Sequence, residues 1–197
     1  MNKALIIGTA DGKDITVEAC LNLIAKKDKH ALATLIYERL YRRYLKPFEY
    51  DDAKYTSEHK NGFAIMASCC LLIETYVSFT EKKYRRTKGK GKDCFEHFFK
   101  NEPRFSEIDR NSLAEDFYTN VRCGILHNAE TRAGWTINRR ESKYVDTTKK
   151  QINAVKFANR LNAVLKEYKQ RLILADFDTA VIWKNAVNRL NDLISDS

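Results

Sequence analysis

At 197 residues the chain is long enough for one domain with a sizeable core and too short for two full ones. A hydrophobic content of 44% with 11% aromatics excludes disorder as the main state, and only 7 glycines and 2 prolines favour long helices over many short strands. The net charge of +9 points to an acidic partner, such as nucleic acid or an anionic surface, or simply to a basic soluble protein.

Residues 3–8 suit a short strand or an ordered lead-in. The run is too short for a signal peptide, and no apolar span of membrane length is expected, so the reading is neither exported nor membrane-spanning. A helix near 16–26 shows Val17, Cys20, Leu21 and Ile24 on one face. A second, near 29–45, carries Leu32, Leu35, Ile36, Leu40 and Tyr44 behind an Asp28 cap and stops at Lys46-Pro47. The polar connection EYDDAKYTSEHK follows.

Residues 62–79 are apolar on almost every side, which places that helix at the centre of a bundle. Next, KKYRRTKGKGK (82–92) reads as a flexible basic loop. Asp93 is the expected cap of a short helix presenting Phe95, Phe98 and Phe99 and ending before Pro103. Ser112-Leu113-Ala114-Glu115 matches a capping box, opening a helix through Phe117, Val121, Gly124 and Ile125 toward His127. Trp135, Ile137, Tyr144 and Val145 alternate as in a small hairpin. Asn153 caps a periodic helix with Phe157, Leu161, Val164, Leu165, Tyr168 and Leu172, and a last helix covers about 177–194. The fold class is all-α: a bundle of five to seven helices with a small β-hairpin near 135–146. It forms a single domain, with an N-terminal helical extension over 1–56, a core over 57–175 and a C-terminal helix over 176–197.

The five cysteines form an odd set with no CxxC pair; Cys69, Cys70 and Cys123 read as small core residues, and a reducing cytoplasm fits them best. Cys94 and His97 are three apart without a second ligand pair, so neither a metal nor a cofactor is expected. His30 and His59 read as surface residues.

The segment RCGILHNAE, 122–130, carries the chemistry. An arginine supplies a permanent cation and a histidine a group that titrates near neutrality, the pair that cleaving RNA without a metal needs. As ordinary helix-end residues, His127 would complement the helix dipole and Arg122 would lay its stem on the apolar stripe. On a regular helix, positions five apart differ by about 140° in direction. Arg122 and His127 therefore share a site if the helix loosens near Gly124, if the long arginine wraps round, or if a two-fold dimer lines one groove with both copies. Glu74 stands beside the apolar stripe Met66, Cys70, Ile73 and Val77; it needs a partner if buried, and Arg122 is the expected one. Asn128 and Glu130 are candidates to contact RNA or orient His127. In the basic loop, Lys82, Lys83, Arg85, Arg86 and Lys88 can grip phosphates, and Tyr84 can stack on a base.

Leu72-Ile73-Glu74 in a core helix, the segment Phe117-Tyr118-x-x-Val121-Arg122-Cys123-Gly124-Ile125-Leu126-His127, and Ala129-Glu130-Thr131 together resemble the HEPN superfamily over roughly residues 60–175. The resemblance implies a dimeric, metal-independent endoribonuclease of toxin–antitoxin or defence systems, with Arg122 and His127 catalytic, Glu74 supporting, and a 2′,3′-cyclic phosphate product. It also implies RNA as substrate, a homodimer with the site at its interface, and an antitoxin or other protein as partner. The residue after the arginine is often polar in active members; here it is Cys123, a weak hydrogen-bond donor. Two further readings stay open: a non-catalytic HEPN module binding RNA or nucleotides, and a helical protein-interaction module.

Overall fold

A computed structural model describes residues 2–49, 58, 60–86 and 89–196. The connection after Glu49 falls largely outside the described residues, as do His59 and Lys88.

The N-terminal segment opens with a two-stranded antiparallel hairpin, β1 (Ile6–Ala10) and β2 (Lys13–Thr16), before its helices begin. Asp11 and Gly12 both have positive φ, 49° and 77°, the geometry that an Asp-Gly pair favours in a two-residue hairpin turn. Helix α1 (Val17–Ala25) starts where the Thr16 side chain accepts the Ala19 N–H, and α2 (Lys29–Tyr44) where Asp28 accepts that of Ala31. Leu32, Leu35 and Ile36 of α2 are fully buried, so this segment is part of the one core.

The apolar segment forms α3 (Gly62–Thr80), followed by α4 (Gly91–Asn101), the short α5 (Ser106–Arg110) and α6, a continuous helix over 114–128. After a small sheet come α7 (Ala154–Leu174) and α8 (Val181–Ser195). Seven of these helices have nine or more residues, in keeping with a mainly helical bundle. Helix α3 packs against α2, α4, α6, α7 and α8, with Ile65, Met66, Cys69, Cys70, Leu72, Ile73 and Phe79 buried. Contrary to the expectation of no such span, α3 has the length and composition of a membrane span; burial among five helices accounts for that composition.

Two capping assignments change. Asp93 lies in the first turn of α4 rather than at its cap, where a carboxylate still complements the helix dipole. The capping box at Ser112 does not form. Ser112 has φ 53°, its N–H bonds the Asp109 carbonyl, and the Leu113 N–H bonds the Ile108 carbonyl. That pattern closes α5. The serine ends one helix and so cannot begin the next. Asn153, by contrast, caps α7 by accepting the Lys156 N–H at 3.0 Å.

The span expected to form a hairpin, 135–146, supplies two strands, β3 (Thr136–Asn138) and β4 (Val145–Asp146), which do not pair with each other. They flank a central strand, β5 (Gln151–Asn153), which runs parallel to β3 and antiparallel to β4. An aromatic cluster of Phe95, Phe99, Phe105, Phe117 and Phe157 ties α4, α6 and α7 together beneath this sheet, with Trp135 and Tyr144 against it.

Candidate active site

Helix α6 begins as an α-helix over Ala114–Phe117, widens to a π-turn over Tyr118–Arg122, and returns to α-helix over Cys123–Asn128. In the wide turn the Cys123 N–H bonds back to the Tyr118 carbonyl, five residues earlier. π-turns of this kind are rare and concentrate at functional sites. Phe117 and Val121 on the inner side of the turn are buried in the core.

The helix ends at Ala129, which adopts a left-handed conformation with φ 57°, and the chain doubles back across its own helix. The Arg132 N–H reaches the Asn120 carbonyl inside the wide turn, at 2.9 Å. Gly124 makes the crossing sterically feasible: a Cβ there would stand 2.4 Å from the Glu130 carbonyl oxygen. Asp116 fastens the return. It accepts hydrogen bonds from Asn120 at 2.7 Å and the Trp135 indole at 2.8 Å, and pairs with Lys150 at 3.0 Å. Burial works against its charge, yet these three partners hold its carboxyl below the usual aspartate range.

Arg122 Nε donates to Glu74 Oε1 of α3 at 2.8 Å, with the side chains only 16% and 14% exposed. The guanidinium lies over the Tyr118 ring, 5.5 Å from its centroid, and 4.0 Å from Cys123 Sγ. Burial disfavours the guanidinium's charge, but Glu74 outweighs it and holds the group above its ordinary range. The free end of the arginine points the other way: Nη1 is 3.5 Å from His127 Nε2. His127 itself is exposed. A single chain thus brings the two residues together, because the long arginine spans the distance from a locally widened helix and no second copy is needed for the contact.

Other candidates fall into place around this pair or away from it. Cys123 is half-buried beside Arg122 rather than a core residue, because it follows the wide turn. Asn128 Oδ1 accepts from Arg132, and Glu130 is exposed, contributing its carbonyl to the crossing over Gly124. Among the thiols behind the ion pair, Cys70 is pushed well above the usual range and Cys94 to about 12, both by burial, so they behave as small apolar groups.

In the basic loop, Tyr84 does not match its expected role. Tyr84 is only 5% exposed and packs its ring 5.3 Å from that of His97, so it cannot stack on a base. Turned inward just past the end of α3, the ring is removed from water, which an exposed loop position would not achieve. Lys82–Tyr84 form a short 3-10 turn. Arg85 pairs with Asp192 at 2.6 Å, Arg86 lies 4.0 Å from Asp196, and Lys83 lies 3.9 Å from Asp93, while Lys82 is exposed and has no such partner among the described residues.

Two residues next to the site had no role assigned from sequence. Tyr118 is four residues before Arg122, a spacing at which an aromatic ring and a cation meet on a helix. Gly91, at the start of α4, abuts Tyr118: a Cβ there would be 2.4 Å from the phenolic oxygen. Among the described residues no cluster of His, Cys, Asp and Glu has the arrangement of a metal site. Compared with known proteins, the chain matches no family model, no curated protein and no solved structure.

Proposed function

We propose that this chain is a HEPN-type endoribonuclease that cleaves RNA without a metal ion, with Arg122 and His127 at its centre. The observation that carries the reading is the 3.5 Å apposition of Arg122 Nη1 and His127 Nε2 at an exposed helix end, with the arginine anchored from behind by Glu74. His127 acts on protons, either taking that of the ribose 2′-hydroxyl as the 2′-oxygen attacks phosphorus, or giving one to the departing 5′-oxygen. Arg122 stabilises the charge that builds on the phosphoryl oxygens. The products are a 2′,3′-cyclic phosphate and a free 5′-hydroxyl. DNA is spared because it has no 2′-hydroxyl.

The working form is a homodimer in which the two copies of the site line one groove. Support for this comes from the resemblance to the HEPN superfamily, whose members are typically dimeric. A cytoplasmic toxin or antiphage role, with an antitoxin or similar protein as its restraint, completes the proposal.

The test is incubation of purified protein with varied RNAs in EDTA, followed by end-group analysis. Cleavage should leave cyclic phosphate ends and fall by about 10²–10⁴ in His127→Ala, the range for loss of a proton-transfer group. Salt-sensitive RNA binding with no product from folded protein would identify a non-catalytic RNA-binding module instead.

A further inference from the structure

A second polar site lies between the loop 142–148 and the start of α7. It is an open cleft of about 540 Å3, within the size range of small-molecule sites, and neither Arg122 nor His127 lines it. Its lining is more polar than apolar, and most of the side chains that form it carry a charge, a hydroxyl or an amide.

The charges in the cleft do not balance. Three cations line it, Lys143, Lys156 and Arg160, against two carboxylates, Glu107 and Asp146. Both carboxylates are already committed. Glu107 accepts from the Tyr144 hydroxyl at 2.8 Å and lies 3.9 Å from Arg160, while Asp146 accepts the Lys149 N–H at 2.9 Å. Arg160 is held flat, 4.0 Å over the Tyr144 ring. Lys156 donates to the Ser142 carbonyl and keeps its other ammonium donors free. Among the described residues Lys143 has no ion pair or hydrogen bond, and none bonds the hydroxyls of Thr147 and Thr148. The loop and the start of α7 therefore each bring both kinds of group to the cleft: an ammonium from Lys143 and from Lys156, and unengaged hydroxyl or amide groups from Thr147 and Thr148 on the loop and Asn159 on the helix.

We propose that this cleft binds a phosphorylated sugar, with Lys143 and Lys156 on the phosphate and the threonine hydroxyls and Asn159 on the sugar hydroxyls. Ammonium groups suit a phosphate as strong, charge-assisted donors. Hydroxyl and amide side chains both donate and accept, which is what a polyol requires.

The test is titration of isotope-labelled protein with ribose 5-phosphate, ribose and inorganic phosphate, following backbone amides by NMR. Ribose 5-phosphate should saturate shifts at residues 142–148 and 156–160. Each half alone should bind more weakly, and Lys143→Ala should weaken binding by about tenfold. Thr147→Glu, which adds a carboxylate to the cleft, should abolish it. The proposal fails if no saturable shift occurs there, if inorganic phosphate binds as well as the sugar phosphate, if the shifts centre on Arg122, or if Lys143→Ala binds unchanged. Because the cleft and the Arg122 site share no residue, these results stand whether or not the chain cleaves RNA.

Discussion

Glu74 grips Arg122 by its Nε alone, at 2.8 Å, which leaves the far end of the guanidinium free to meet His127 and a substrate. Removing the carboxylate should therefore cost both stability and aim. Glu74→Ala leaves a half-buried cation without its partner, and should lower unfolding free energy by about 2 kcal/mol, the scale of a hydrogen bond to a charged group. RNA cleavage should drop by at least about tenfold, since Arg122 loses its fixed position. Glu74→Gln, which keeps an acceptor, should lose less of each. Urea denaturation and turnover on one RNA check this; wild-type turnover in Glu74→Ala would refute the anchoring role.

Gly124→Ala sets two effects against each other. Helix propensity favours alanine by about 1 kcal/mol. The new Cβ, however, would meet the Glu130 carbonyl oxygen at 2.4 Å and the Thr131 Cα at 3.4 Å, both backbone atoms that cannot rotate aside. Steric conflict should win, with a net loss of about 1–3 kcal/mol. A denaturation midpoint above that of wild type would show that the return segment yields easily.

Tyr118 supports Arg122 from beneath, and Gly91 leaves it the room to do so. Tyr118→Leu removes the ring face and should reduce cleavage by several-fold, in line with a cation–π contact of about 0.5–2 kcal/mol. Gly91→Ala should reduce it as well, because the added Cβ would also lie 2.9 Å from two ring carbons. Combining Gly91→Ala with Tyr118→Phe removes the nearest atom, so the double variant should be less impaired than the two losses added together. Strict additivity in that cycle would mean the two residues are not coupled.

Asp116 predicts a pH dependence of folding. Its folded carboxyl titrates below the ordinary aspartate value, so its contribution is present above about pH 4, the unfolded value, and is lost as pH falls through the lower folded one. Asp116→Asn should be less stable than wild type near neutrality, and the difference should shrink on acidification. Thermal melts across pH 2–7, a range set to bracket both values, would decide it: a gap that widens in acid reverses the sign of the argument.

Much of this architecture was legible in the sequence, and the exceptions have local causes. Apolar spacing located α1, α2, α3, α7 and α8 because each presents a stripe that only a core can satisfy. Asp28 and Asn153 announced their helices through side chains that accept backbone N–H groups nearby. Ser112 misled because the same residue type that opens a helix can close the one before it by turning left-handed. Asp11-Gly12 carried a hairpin signal that outweighs the apolar run preceding it. Tyr84 looked like a loop aromatic from its basic neighbours, yet its ring belongs to the core. Arg122 and Glu74 could be paired from burial cost alone. The wide turn that joins Arg122 to His127 could not, since a π-turn leaves no mark in apolar spacing.

That turn has a consequence for the helix as a whole. Each residue added to or removed from a helix rotates everything beyond it by about 100°. The π-turn acts as a built-in phase shift in the middle of α6, so its two halves obey different rotational settings. Phe117 and Val121 stay keyed to the aromatic core, while His127 is dialled outward to solvent. A helix of uniform pitch would have to trade one orientation against the other. Here packing and chemistry are tuned separately on one continuous element.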